Sequence, residues 1–114
     1  MECDTRLKKW RKYNTTNTNN RMIGEKYYNI AFIDLYVINN NYKIVCSISD
    51  LINSYIIIVK GRKSKAINTY NTIKQDLSNI VDMYLCCYND TIAHDYLLDS
   101  CNTFIHKWNV LEAV

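Results

Sequence analysis

Basic side chains interleaved with aromatic ones open the chain. Arg6, Lys8, Lys9, Arg11 and Lys12 surround Trp10 and Tyr13, and Arg21 follows a little further on. Lysine and arginine seek phosphate, and indole and phenol rings offer stacking surfaces to unpaired bases, so this segment carries the chemistry of a nucleic-acid contact. The same residues would also suit a solvated terminus that keeps a tyrosine-rich protein dispersed. A second basic cluster, Lys60-Gly61-Arg62-Lys63-Ser64-Lys65, precedes a predicted helix whose free N–H groups and dipole attract anions. Gly61 allows close approach of backbone to a phosphate. The spacing is not G-x-x-x-x-G-K-[ST], so a nucleoside triphosphate cradle is not expected, and the alternative is a basic surface loop. Together the two clusters would form a two-part phosphate clamp through Arg6, Lys8, Lys9, Arg11, Lys12, Lys60, Arg62, Lys63 and Lys65.

Soft ligands and nucleophiles are present but badly spaced. Cys86, Cys87, His94, Cys101 and His106 follow C-x6-H-x6-C-x4-H, which matches no reliable zinc pattern. On a single helix His94 and Cys101 would stand two turns apart, about 10 Å. Tetrahedral ligands must converge within about 4 Å of one another, so neither a metal nor any other cofactor is expected. Cys87 with His94, or Asp90 with Asp95, are the local options for a nucleophile with its base or a carboxylate pair. Neither sits in a recognisable catalytic loop. No HExxH or GxSxG occurs, and Gly24 and Gly61 are too few for a cofactor-cradling loop. The sequence therefore predicts no catalytic residue. Asp34, alone in an apolar strand, must be paired or lie on the solvent face of a sheet.

The chain that positions these groups has 114 residues, enough for one small domain. It is 48% hydrophobic and 22% charged, as folded globular proteins are. With fifteen Asn, fifteen Ile, ten Tyr, two Gly and no Pro, it has the composition of an AT-rich coding sequence, such as that of a large DNA virus or a parasite. No run approaches the roughly 18 apolar residues of a membrane span. The polar, charged start argues against a secretory signal, so an intracellular protein with reduced thiols is expected. Charge is uneven: residues 1–65 carry twelve Lys or Arg against five Asp or Glu, and residues 66–114 carry two against six. One part of the molecule should attract anions and another repel them.

Residues 1–22 read as a flexible basic tail and an Asn/Thr linker, and 23–114 as one α+β domain. Tyr27–Ile38 is apolar on both alternations and predicts one strand buried on both faces, with a helix as the competing reading. Asn39-Asn40-Asn41 predicts a tight turn, Tyr42–Ile48 a second strand and Tyr55–Val59 a third. Ser64 is the expected N-cap of a helix whose apolar stripe is Ile67, Tyr70, Ile73, Leu77, Ile80, Val81, Tyr84 and Leu85. A second helix is expected over 91–111, with Ala93, Tyr96, Leu97, Cys101, Phe104, Ile105, Trp108 and Leu111 inward. The order implies a small, mostly antiparallel three-stranded sheet with both helices on one face. The uncovered face should hold half-exposed tyrosines drawn from Tyr27, Tyr28, Tyr36, Tyr42 and Tyr55. The leading expectation is a non-enzymatic interaction or accessory protein docking a protein partner or a second copy through Trp10, Tyr27, Tyr36 and Tyr55, or through the amphipathic helices. The alternative is a nucleic-acid-binding accessory protein using the two basic clusters.

Overall fold

The computed structural model describes residues 9–12, 21–48, 54–87 and 89–110, and the backbone of Glu112 and Ala113. Among the described residues six strands form one antiparallel sheet in chain order: β1 (Trp10–Lys12), β2 (Arg21–Tyr27), β3 (Ala31–Ile38), β4 (Asn41–Ile48), β5 (Tyr55–Val59) and the two-residue β6 (Glu112–Ala113). Two helices, α1 (Lys63–Leu85) and α2 (Asp90–Trp108), lie between β5 and β6 in sequence and pack on one face of the sheet. The class is α+β as expected, but the sheet is larger than the three strands predicted.

The difference arises at two places. The apolar run Tyr27–Ile38 is two strands, because Tyr28 takes the left-handed conformation at φ 53 and Ile30 N–H donates to the Tyr27 carbonyl at 2.9 Å. The chain reverses there, so Tyr27 and Ala31 stand opposite each other, both buried toward the helices. The second place is the start of the chain. Trp10–Lys12 pairs with Glu25–Tyr27 as the edge of the sheet, and β2 begins at Arg21. The domain therefore includes part of the segment assigned to a free tail, and a boundary at 22/23 would cut β2. Arg6, Lys8, Tyr13, Ser49-Asp50 and Leu111 lie outside the described residues.

The β3–β4 turn follows the sequence closely. Asn39 and Asn40 have φ values of 45 and 67, the paired positive dihedrals of a two-residue hairpin whose twist matches its strands. Along β3 the period-2 pattern then holds, with Ala31, Ile33 and Leu35 beneath the helices and Phe32, Asp34 and Tyr36 on the other side.

Helix α1 buries Ala66, Tyr70, Ile73, Leu77, Ile80 and Val81, a stripe at steps of three and four. Ile67 and Leu85 fall off that stripe and are exposed. Ser64 is not the cap: Arg62 holds that position and provides no side-chain hydrogen bond. Helix α2 starts one residue earlier than expected. The Asn89 side chain accepts from Thr91 N–H at 2.8 Å and Ile92 N–H at 3.3 Å, satisfying two otherwise unpaired donors. Asn109 at φ 49 closes the helix after Trp108. Among the described residues no helix is long and apolar enough to cross a membrane.

Candidate nucleic-acid interface

Alternation along the strands gives the face away from the helices three rows of side chains. Arg11, Lys26, Phe32 and Ser47 are register partners in one row. Gly24, Asp34, Val45 and Ile56 form the next, and Arg21, Tyr36, Lys43 and Ile58 the third. With strands about 4.8 Å apart and a rise of about 3.3 Å per residue, Phe32 and Tyr36 stand roughly 13 Å apart on β3, Tyr36 between Arg21 and Lys43 and Phe32 between Lys26 and Ser47.

Asp34 is only 7% exposed, and its environment explains a carboxylate in this position. Arg21 Nη2 lies 3.4 Å from Asp34 Oδ2 and donates to the Tyr36 hydroxyl at 2.8 Å. The charge is thus paired, and it is buried even though it lies on the side of the sheet away from the helices. Tyr36 also has the Arg21 guanidinium 5.4 Å and the Lys43 ammonium 5.1 Å from its ring centroid, within cation–π range. Phe32, 37% exposed, is the open aromatic of the face. Arg11 and Lys26 continue its row to the sheet edge, and no ion pair between described residues occupies Arg11.

The predicted contact residues separate. Tyr36 is on the open face, whereas Tyr27 and Tyr55, 1% and 5% exposed, are core residues beneath the helices and present no contact surface. Trp10 packs edge-to-face on Tyr27, with ring centroids 5.2 Å apart, and its indole N–H donates to Ser78 Oγ. Tyr42 also faces the helix layer, and Tyr28 projects from the β2–β3 turn. The basic start divides as well: Arg11 is on the open face, while Lys9 turns toward α1 and binds Asp82 at 2.7 Å. Lys12 takes the same side as Lys9, opposite Glu25 in register. Lys60, Arg62, Lys63 and Lys65 are all exposed in the turn leaving β5, just past Ile58, the register partner of Lys43. Lys63 and Lys65 sit in the first turn of α1 with no acidic residue beside them, so their charge adds to the positive end of the helix dipole.

Beneath the sheet the polar groups serve packing. The Tyr27 hydroxyl donates to Asp82 Oδ1, and burial, reinforced by that carboxylate, pushes its pKa up to about 12. The hydrogen bond to Asp82 raises the Lys9 ammonium above its ordinary value. Burial raises the Cys46 thiol to about 12 and shifts Cys101 and Tyr55 upward too. Cys87 donates to the Met83 carbonyl at 3.3 Å rather than engaging His94. Asp90 and Asp95 are exposed on α2. Among the described residues no three His, Cys, Asp or Glu side chains gather as a metal ion would require. The groove between the helices, about 350 Å³, has Ile80, Tyr96 and Phe104 on its floor and Asp76, Asp99 and Lys107 at its rim.

Sequence reasoning missed Lys26, Phe32 and Lys43, whose shared face emerges only once β2, β3 and β4 are aligned. No protein-family model matches the chain, and neither a curated protein nor a solved structure matches it significantly.

Proposed function

We propose that this chain is a small non-enzymatic binding protein whose open sheet face takes a single strand of nucleic acid. The observation that carries this reading is the segregation of charge and aromatic rings across one sheet. Arg11, Lys26 and Lys43 share the open face with Phe32 and Tyr36, while Asp76, Asp82, Asp90, Asp95 and Asp99 belong to the helical layer on the other side. Phosphates are attracted to the first surface, where the Asp34 carboxylate is paired with Arg21, and Phe32 offers a ring on which any base can stack. The exposed Lys60–Lys65 turn extends the basic surface past the end of β5.

The test is fluorescence anisotropy of the full chain with single- and double-stranded DNA and RNA at 50 and 200 mM salt. Four phosphate contacts, at Arg11, Lys26, Lys43 and Lys60, give a log–log salt slope of about −2.8 and a roughly fifty-fold weakening across that range. Lys43→Glu should reduce affinity at the lower salt without altering the unfolding midpoint. Phe32→Ala should cost about tenfold in affinity, as loss of one stacked base does. Binding that is absent at the lower salt, or indifferent to both substitutions, defeats the proposal.

A protein partner or second copy on the same face is the second reading, favoured by the half-buried Val45, Ile56 and Ile58 beside Phe32. It predicts a dimer in sedimentation that Phe32→Ala dissociates, and no salt-dependent binding to any strand.

A further inference from the structure

We propose that the cavity between α1 and the β1–β2 edge of the sheet binds a guanine nucleotide. The cavity has a volume of about 450 Å³, within the range of small-molecule sites, and Met22, Ile23 and Ile67 form apolar walls. Glu25 lines it and is only 6% exposed. Its neighbours along the same face of β2, Ile23 and Tyr27, pack on the helix layer, where an aliphatic side chain would fit without the desolvation cost of a carboxylate.

The carboxylate is held firmly on one side only. Glu25 Oε2 accepts from the Tyr70 hydroxyl at 2.7 Å and from Lys74 Nζ at 3.0 Å. Oε1 accepts no hydrogen bond from a described residue. A fixed carboxylate with one oxygen open calls for a ligand bearing N–H or O–H donors. Lys12 and Lys74 line the same cavity, so its formal charge is positive by one and the ligand is anionic overall. Apolar walls, an acceptor and cations together describe a nucleotide whose base presents donors and whose phosphate reaches Lys12. Guanine places N1–H and the 2-amino group side by side, so both can donate to the open Oε1, whereas adenine and cytosine set an unprotonated ring nitrogen beside their amino group. Uracil instead flanks its single N–H with carbonyls that a carboxylate repels. This cavity is on the helix side of the sheet and stands independently of the strand-binding face.

Isothermal titration of the full chain with GMP, AMP, CMP and UMP tests it. GMP should bind at least about tenfold more tightly than the others, the value of one charge-assisted hydrogen bond. Glu25→Gln should remove that preference. Because this substitution touches a buried network, two rim variants accompany it. Ile67→Trp, at a position 37% exposed, should fill the cavity and abolish binding. Lys12→Ala should weaken GMP about threefold to tenfold and reduce its salt dependence. The source of the base is resolved by competition: displacement of GMP by a short oligonucleotide ending in guanosine, but not by one ending in uridine, identifies a strand terminus, and no displacement identifies the free nucleotide. Failure of millimolar GMP to bind, equal affinity for AMP, or binding unchanged in Ile67→Trp overturns the proposal.

Discussion

On the side of β3 that meets α1, Ala31, Ile33 and Leu35 are sealed from solvent by Ile73, Leu77 and Val81. On its other side the same eight residues show Phe32, Asp34 and Tyr36 among Arg21, Lys26 and Lys43. One strand thus serves two physical roles at alternate positions. The covered face converts apolar area into stability, at about 25 cal/mol per Å² removed from water. The open face holds charge and half-exposed rings in fixed positions while adding little to folding. What separates them is the side on which the helices pack, because residue types alone do not: Tyr27 and Tyr36 are both tyrosines of the sheet, one a core residue and one a surface residue.

The sharpest way to break the comparison is to truncate one residue on each side. Ile33→Ala or Leu77→Ala should cost about 2–5 kcal/mol in urea unfolding, because a cavity opens in the sealed layer. Phe32→Ala, one residue from Ile33, should cost less than about 1 kcal/mol. Equal losses would mean that the open face is covered in solution. Next in size, Trp10→Ala should lower stability by about 2 kcal/mol, since it removes a half-buried ring from Tyr27 and a hydrogen bond from Ser78. A loss within measurement error would restore the first residues to the role of a free tail.

A further test lies on the alkaline side. The Cys46 thiol, ordinarily near 9, and the Tyr27 hydroxyl, ordinarily near 10, are both raised to about 12 in the folded chain. Each holds its proton more tightly when folded, so its contribution is fully present below the unfolded value and disappears as pH rises toward the folded one. The urea midpoint should therefore decline from pH 9 upward, and Cys46→Ala should flatten the first part of that decline. In the same range a thiol reagent should label exposed Cys86 at once, and buried Cys46 and Cys101 only on unfolding.

Local patterns in the sequence were enough to predict the α1 stripe, the Asn39-Asn40 turn and the apolar run of β5, because each is set by residues close in the chain. The reversal at Tyr28 was hidden, since neither glycine nor proline marks it and a tyrosine carries the positive φ. The place of Trp10 in the sheet was hidden for a different reason. Its partner Ser78, and Asp82, which holds the neighbouring Lys9, are remote in the chain, and no local composition distinguishes a docked basic strand from a solvated one. Glu25 was passed over likewise: it becomes conspicuous only when Ile23, Glu25 and Tyr27 are seen to share the buried side of β2. The charge split between the two halves of the chain was visible from the start, but only part of it maps onto the sheet: Arg11, Lys26 and Lys43 share the open face, whereas Lys9 and Lys12 turn to the helix side and Lys63 and Lys65 begin α1.

The contact between Lys9 and Asp82 joins residues 73 apart in sequence. The hairpins β2–β3 and β3–β4 close within a few residues and can form as the chain leaves the ribosome. β1, made before them, can pair with β2 and set Trp10 on Tyr27, but Lys9 and the Trp10 indole N–H must wait for Asp82 and Ser78 of α1. Loop closure over that length makes its docking a late, slow step. β1 is therefore fully anchored only after α1 is made, and whenever it detaches before then the edge of β2 stands open to any other extended chain.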